Sequence, residues 1–430
     1  MAGALGDASF YDTHVSPIHY LPVLFSYFWP FGWLSWYALV YALVFAALVI
    51  ACYLLLARQT SKPVAIMLAT IGTLLFFFSQ SVFQGAWEMH MEFISPLLAL
   101  LMFWHWQQRR YRLALLWLLL NAAVREDIAA INGLILALLA AAQWLQASVD
   151  YPVLARERLR WGLILVAVSL VYTVAAFAVQ KLFFHPFVMD MLYFPKHDPF
   201  GHISLQLLAS RASVIFSSRM GLWLPILVLI AGAAILRDAQ LLAAPLGILP
   251  YWLLFFFAKF EGGAILDTYR PFVLVILLLW PALMALNESR ASRRRHQYMW
   301  LQALVLISGM FYIDHDFFSI VKARLWPQPL AYSDQYQRFA EKLPLLRQLG
   351  TLRASHGVLA LYPYQFPAWY LSDIADLKAA EAGSVDIFVW FENDRDQQLV
   401  DALLKQGKFD LDPVPGTRIH VAQRRIEYEP

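Results

Sequence analysis

The stretch "LALLWLLLNAAVREDIAAINGLILALLAAA", Leu113 to Ala142, is the most informative part of the sequence about the fold, because three consecutive charges interrupt an otherwise apolar sequence. The 12 residues from Leu113 to Val124 contain no Asp, Glu, Lys or Arg. As a helix they would extend about 18 Å, whereas a hydrocarbon core of about 30 Å requires about 20 apolar residues. This segment therefore cannot cross a bilayer unless Arg125 lies inside the protein or at a water-filled cavity.

The rest of the chain is equally apolar. Its 430 residues are 60% hydrophobic and 15% charged, whereas about a quarter of the residues of a soluble domain are charged. The longer charge-free runs are Thr13–Ala57, Pro63–Trp87, Phe93–Gln108, Ile128–Val149, Trp161–Gln180, Met220–Leu236, Ala239–Ala258, Pro271–Asn287 and His296–Ile313. They predict an α-helical polytopic membrane protein with about ten spans.

Lys and Arg are concentrated in every second loop between these runs. The basic loops contain Arg58 and Lys62, "QQRRYR" at Gln107–Arg112, Arg156 to Arg160, Arg237, and "SRASRRR" at Ser289–Arg295. The positive-inside rule predicts that they are cytoplasmic in a plasma (inner) membrane and that the alternate loops face outward. Because the basic residues are spread over many loops, no nucleic-acid partner is predicted.

After Ile313 the composition becomes that of a soluble protein. The patterns predict an amphipathic helix at Asp334–Gly350, strands in "GVLALY" from Gly357, "DIFVWF" from Asp386 and "RIHVA" from Arg418, and a helix at Asp396–Gly407. We therefore expect two domains: a multi-pass domain at 1–313 and a small extracytoplasmic α/β domain at 314–430.

The outer loop "QGAWEMHMEF", Gln84 to Phe93, carries the first candidate site. On a helix, Glu88 and Glu92 would share one face, and with His90 they would hold a divalent cation or receive a proton. The alternative is an interfacial turn whose carboxylates stay in water, and the spacing alone favours that alternative.

The charged triplet Arg125, Glu126 and Asp127 is the second candidate. A structural interpretation is that Asp127 caps a helix beginning at Ile128, while Arg125 and Glu126 lie among lipid headgroups. The short preceding helix favours a functional cavity instead, in which the three side chains are paired with one another or with nearby polar groups. Arg270, at a helix entrance, is either a phosphate contact or an interfacial anchor.

Three segments together resemble a family of uncharacterised prokaryotic multi-pass membrane proteins. These segments are "HVSPIHYLP" at His14–Pro22, the sequence from Gln84 to the helix after Asp127, and the closing α/β segment. His14, Ser16 and Pro17 match the family's H-x-S-P-I element, Glu88 and His90 match its acidic outer loop, and Arg125, Glu126 and Asp127 match its [KR]-E-D element. The family is similar in layout to the GT-C class of membrane glycosyltransferases, which take sugars from polyprenyl-phosphate carriers.

The resemblance implies an inverting glycosyltransferase whose partners are a polyprenyl-phosphate-linked sugar donor and membrane lipids. Asp12, Glu88 and Glu126 would be the catalytic carboxylates, one of which takes the proton from the acceptor hydroxyl. His14, His90, Arg125, Asp127 and Arg270 would bind substrate, and Arg125 and Arg270 would neutralise the departing phosphate. A divalent cation, Mg²⁺ or Mn²⁺, would be held by candidates Glu88, His90 and Glu92.

The N-terminus departs from the family pattern. Relatives begin with a further membrane helix and a loop that carries an aspartate before the H-x-S-P-I element. Here "MAGALGDASF" has neither the basic start nor the apolar core of a signal peptide. We expect a shortened form that lacks the usual first helix and its catalytic residue; the alternative is that Asp7 or Asp12 substitutes.

A transporter or flippase for lipid-linked sugars or other amphiphiles is the alternative function. It would need a polar path to the cytoplasmic face, and the inner halves of the predicted spans contain almost no charged residues, which argues against coupling to ions. A structural scaffold would leave the charged triplet without a role.

Overall fold

The computed structural model describes residues 17–19, 24–25, 28–29, 33–78, 91–147, 152–183, 198, 200–218, 220–258, 276–288, 292–309, 341–342, 344–346, 348, 352–354, 387–391, 405, 409–413 and 419–424. The described residues up to 309 belong to one compact unit, and those from 341 onward belong to a second unit. The domain boundary predicted after Ile313 falls outside the described residues and stays a prediction.

The first unit consists of helices. They are α1 (Trp33–Ala57), α2 (Lys62–Phe78), α3 (Ser95–Gln107), α4 (Tyr111–Val124), α5 (Glu126–Ala147), α6 (Pro152–Phe183), α7 (Leu205–Ser218), α8 (Met220–Leu236), α9 (Ala243–Phe257), α10 (Trp280–Met284) and α11 (Arg293–Gly309). Short 3₁₀ helices at Pro17–His19, Met91–Ile94, Ala239–Leu242 and Ala285–Asn287 accompany them. Proline begins α6 and is the second residue of α3 and α10, where its missing N–H has no partner to lose.

Four of the described helical segments are long and apolar enough to cross a membrane. They are Leu39–Ala57, Glu126–Gln146, Pro152–Phe183 and Ala239–Phe257. Shorter apolar helices lie at Lys62–Gly72, Tyr111–Val124, Leu205–Ser217, Trp223–Leu236 and Ile276–Asn287. The chain is therefore a mostly helical protein with the composition of a membrane protein, while the full set of about ten spans stays a prediction.

Helices α5 and α6 pack antiparallel and in close contact. A Cβ atom added to Gly162 would lie 2.4 Å from Cβ of Ala140, and one added to Gly133 would lie 2.0 Å from Oγ of Ser169. Small residues at both contacts allow the two backbones to approach, as is typical of helix pairs in membranes. This packing fixes the start of α5, where the charged triplet lies.

The helix ends next to the basic loops contact one another. Arg295 Nε donates to the backbone oxygen of Gln59 at 3.1 Å, and Asn287 Nδ2 donates to Oε1 of Gln107 at 2.6 Å. We call this side of the unit, where α1, α3, α8 and the 285–287 turn end, the basic end. Alternating loops require such an arrangement, and the assignment of the basic end to the cytoplasm stays a prediction.

The second unit contains a four-stranded sheet in the order β1-β2-β4-β3. Its strands are β1 (Leu352–Ala354), β2 (Ile387–Phe391), β3 (Phe409–Pro413) and β4 (Ile419–Arg424). β1 pairs parallel with β2, whereas β4 pairs antiparallel with β2 and β3. Val389 lies opposite Val421 in the register, and both side chains are buried, as the alternation of apolar residues requires.

Two of the three predicted strands are confirmed, since β2 and β4 coincide with "DIFVWF" and "RIHVA". The strand predicted from Gly357 lies outside the described residues. The pattern missed β3, "FDLDP", because its alternating aspartates and final Pro413 are typical of an exposed edge strand rather than a central one. The described residues 341–342, 344–346 and 348 are helical, in agreement with the helix predicted at Asp334–Gly350.

Candidate functional site

The candidate site begins at Arg125, the residue that separates α4 from α5. Its backbone is extended, with φ −165° and ψ 134°, so that α4 ends here and α5 starts directly afterwards at Glu126. Only 3% of Arg125 is exposed. Arg125 is thus enclosed by the protein, as the sequence predicted, while its position relative to the lipid headgroups stays a prediction.

The guanidinium of Arg125 has three partners. Nε and Nη2 donate to the two carboxylate oxygens of Asp127 at 2.7 and 2.5 Å. Nη1 lies 3.6 Å from Oε1 of Glu92, and Nη2 also approaches the hydroxyl of Tyr251 on α9 at 3.5 Å. We call Glu92, Arg125, Asp127 and Tyr251 the Arg125 cluster; it joins the 91–94 turn, the start of α5 and α9.

The predicted pairing within the triplet is thus present, but the predicted cap is wrong. Helix α5 begins at Glu126 and not at Ile128, so Asp127 lies within its first turn. Its carboxylate binds the guanidinium in bidentate fashion, which is stronger than a bond to a helix-terminal N–H. The acidic first turn still interacts favourably with the helix dipole.

Two further buried polar groups lie beside the cluster in sequence. Glu126 is 1% exposed, and its backbone oxygen accepts a hydrogen bond from Thr173 Oγ1 on α6 at 2.8 Å. Asn121, one turn before Arg125 on α4, is fully buried, and neither its Oδ1 nor its Nδ2 has a hydrogen-bond partner among the described residues. Buried amides normally find partners, so Asn121 is available to a water molecule or a ligand group.

The described part of this region contains three carboxylates, Glu92, Glu126 and Asp127. Asp127 occupies one edge of the Arg125 guanidinium, its Nε and Nη2 groups. The role predicted for Arg125, neutralising a phosphate, would require a ligand to compete with that bidentate pair.

Five of the predicted site residues lie outside the described residues: Asp12, His14, Glu88, His90 and Arg270. Of the metal candidates only Glu92 is described, and it approaches Arg125. No group of three His, Cys, Asp or Glu side chains within the described ranges has the geometry to hold a metal ion. The metal prediction therefore depends on Glu88 and His90 and stays a prediction.

Sequence reasoning missed a second polar site at the basic end, centred on Asp238. This fully buried carboxylate accepts hydrogen bonds from Tyr298 Oη and from Gln146 Nε2, the latter at 2.9 Å. It also lies 3.3 Å from Nη2 of Arg294. It also caps the 239–242 turn by accepting from the backbone N–H of Gln240 at 3.0 Å. One carboxylate thereby connects α5, α8 and α11.

Amide side chains extend this site across the basic end. Gln143 Nε2 donates to Oε1 of Gln107 at 3.2 Å and to Oε1 of Gln240 at 3.0 Å, and its own Oε1 accepts from Trp106 Nε1 at 3.3 Å. Gln240 Nε2 donates to Oε1 of Gln146 at 2.8 Å. We call Asp238 with Gln107, Gln143, Gln146, Gln240, Asn287, Arg294 and Tyr298 the Asp238 network. The signal in the sequence was glutamine within the last turn of otherwise apolar helices.

An apolar cavity lies between α1, α2, α11 and the residues before α10. Its lining includes Phe45, Cys52, Leu68, Gly72 and Leu306. Cys52 is the only cysteine of the chain, so it offers a unique chemical handle in this wall.

No protein-family model matches the chain, and no curated protein matches its sequence.

Proposed function

We propose that the chain is a membrane glycosyltransferase that transfers a sugar from a polyprenyl-phosphate carrier on the outer face of the membrane. The observation that carries this proposal is the Arg125 cluster, a charged group enclosed by apolar helices. Charges enclosed between apolar helices are costly and are typical of functional sites. Arg125 pairs with Asp127, and Glu92 and Glu126 are buried carboxylates beside that pair.

The buried carboxylates in and beside the Arg125 cluster support a base-assisted reaction. The acceptor hydroxyl would attack the anomeric carbon of the donor, and its proton would pass to a carboxylate, while the C–O bond to the carrier phosphate breaks. Glu92, Glu126 and the outer-loop residues Asp12 and Glu88 are the candidate bases. Because Asp127 occupies one edge of the Arg125 guanidinium and Glu92 lies beside Nη1, we assign the departing phosphate mainly to Arg270, with Arg125 fixing the position of Glu92.

The apolar cavity lined by Cys52 and Leu306 supports the second half of the proposal. An isoprenoid tail would find an apolar wall there while its phosphate reaches the outer surface. The 314–430 domain would cover the acceptor side outside the plasma membrane.

Purified protein in proteoliposomes with a polyprenyl-phosphate sugar tests the proposal. Release of free polyprenyl phosphate upon addition of a hydroxyl acceptor is expected. Glu92→Gln, which keeps the shape but removes the charge, should lower turnover about 100-fold or more if Glu92 is the base. Glu157→Gln, an exposed position at the basic end, is the matched control. An absence of released carrier with every donor tried would contradict the proposal.

A transporter of lipid-linked sugars is the second candidate, and the Asp238 network favours it. The network provides buried polar groups at the end of the unit where the sequence suggested almost none. The same proteoliposomes separate the two functions, since a transporter moves intact lipid between leaflets without releasing polyprenyl phosphate.

A further inference from the structure

Two helices at the basic end finish with the same backbone motif. At the end of α3, Arg110 N–H donates to the oxygen of His105 and Arg109 N–H to that of Trp106, both at 2.9 Å. At the end of α8, Asp238 N–H donates to the oxygen of Ala233 at 3.0 Å and Arg237 N–H to that of Ala234 at 3.4 Å. Both patterns are Schellman motifs.

Arginine occupies the position of each motif that favours glycine. Arg109 has φ 59° and Arg237 has φ 49°, and among the described residues no other non-glycine residue has a positive φ. A left-handed conformation is unfavourable for a residue with a Cβ, and glycine adopts it without that strain. Two arginines in this conformation at one end of the molecule indicate that the side chains themselves have a role.

Attraction to the helix C-terminus is one such role, because a cation near the last carbonyls interacts favourably with the helix dipole. It does not explain where the guanidinium groups lie. Both arginines are exposed, and neither guanidinium makes a hydrogen bond or ion pair with another described residue. Two other arginines of the basic end are engaged: Arg58 lies over the ring of Trp104, and Arg294 pairs with Asp238.

The two turns are linked through the Asp238 network. A single atom, Gln143 Nε2, donates both to Gln107, two residues before Arg109, and to Gln240, three residues after Arg237. The buried amides thus hold the two exposed guanidinium groups on one side of the molecule.

Exposed apolar side chains accompany both arginines. Ile235, two residues before Arg237, is 79% exposed, and Leu113, four residues after Arg109, is 40% exposed. A ligand that satisfies both features carries an anionic head and an alkyl chain. Guanidinium groups match phosphate oxygens with two parallel hydrogen bonds.

We propose that Arg109 and Arg237 bind the phosphate headgroups of anionic phospholipids at the basic end of the protein, with the alkyl chains lying along exposed residues such as Ile235 and Leu113. This site is separate from the Arg125 cluster and does not depend on the proposed sugar transfer. The left-handed turns hold the two guanidinium groups exposed and without a hydrogen bond or ion pair to the described residues.

Native mass spectrometry of the detergent-solubilised full chain, titrated with phosphatidylglycerol or phosphatidylcholine, tests the assignment. Glycine is the informative substitution, because it suits the backbone of both turns while removing the charge. Arg109→Gly and Arg237→Gly should each weaken phosphatidylglycerol binding about fivefold, while phosphatidylcholine binding and the melting temperature stay the same or the melting temperature rises. Arg112→Ala, an exposed arginine on α4 with ordinary helical backbone, is the matched control and should have a smaller effect.

Four results would overturn the assignment. Unchanged phosphatidylglycerol affinity in the double glycine variant would remove the binding role. A lower melting temperature with unchanged affinity would leave the helix-terminal role alone. An equal loss in Arg112→Ala would show a general charge effect instead of a site, and displacement of the lipid by millimolar inorganic phosphate alone would show that the alkyl chain contributes nothing.

Discussion

The pair formed by Arg125 and Asp127 shows how one side chain sets the stability of a buried charge. Asp127→Asn keeps a hydrogen-bond acceptor but removes the negative charge. Among the described residues, Glu92 at 3.6 Å would then be the one carboxylate within ion-pair distance of Arg125. We expect a loss of roughly 2 kcal/mol in the free energy of unfolding, because bonds to charged groups contribute about 1.5–3 kcal/mol. Thermal melting in detergent measures it, with the exposed Glu341→Gln as the control. An unchanged melting temperature would mean that Glu92 alone neutralises the arginine.

Asp238 is the corresponding residue at the basic end. Tyr298→Phe removes the hydroxyl that donates to this fully buried carboxylate while keeping the ring that packs in the core. An unsatisfied buried acceptor costs about 1–3 kcal/mol, so Tyr298→Phe should lower the melting temperature by several degrees. Tyr53→Phe, a half-buried tyrosine of α1, is a suitable control. Equal melting of the two variants would show that Arg294 and Gln146 already satisfy Asp238.

At the scale of elements, the contact between α5 and α9 determines where Tyr251 meets Arg125. A Cβ atom on Gly247 would lie 3.0 Å from both the backbone nitrogen and the Cα of Ile135, and a helix backbone cannot yield there. Gly247→Ala should therefore push α9 away from α5 and displace Tyr251, which lies one turn after Gly247. The free energy of unfolding should fall by about 1–3 kcal/mol. The measurement is the melting temperature, together with the turnover of the sugar-transfer assay.

The matched control is Gly72→Ala on α2. Its added Cβ would meet only Leu306 Cδ2, at an ordinary contact distance of 3.6 Å. Replacing a helical glycine by alanine gains up to about 1 kcal/mol where there is room, so Gly72→Ala should be neutral or stabilising. If both glycine variants melted together below the unsubstituted protein, a general effect of the substitution and not the α5–α9 contact would be responsible.

At the scale of the whole molecule, the sequence predicted what depends on composition and on single charges. Apolar runs predicted helices, and the brevity of Leu113–Val124 predicted that Arg125 is buried. The partners were beyond such reasoning: Tyr251 lies 126 residues from Arg125, and Asp238 lies 60 residues from Tyr298. Glutamines carry no charge and interrupt no charge-free run, so an analysis based on charges overlooked those near the ends of apolar helices, which form a network between helices.

The orientation in the membrane is the last prediction, and it decides which polar site faces which compartment. Cys52 is first replaced by alanine, and single cysteines are then introduced at Gln108, in the exposed turn after α3, and at Ser204, directly before α7. Ser204 is close in sequence to His202, whose Nε2 lies 2.9 Å from the backbone oxygen of Phe257. A third cysteine replaces Ser355 in the 314–430 region. The excess of arginine at the basic end predicts that a membrane-impermeant thiol reagent labels Ser204→Cys and Ser355→Cys in intact cells, while Gln108→Cys is labelled only after lysis. The reverse pattern would place the Arg125 cluster on the cytoplasmic side, where a polyprenyl-phosphate sugar presented at the outer face does not reach it. Labelling of Ser204→Cys without labelling of Ser355→Cys would contradict the prediction that the C-terminal region is extracytoplasmic.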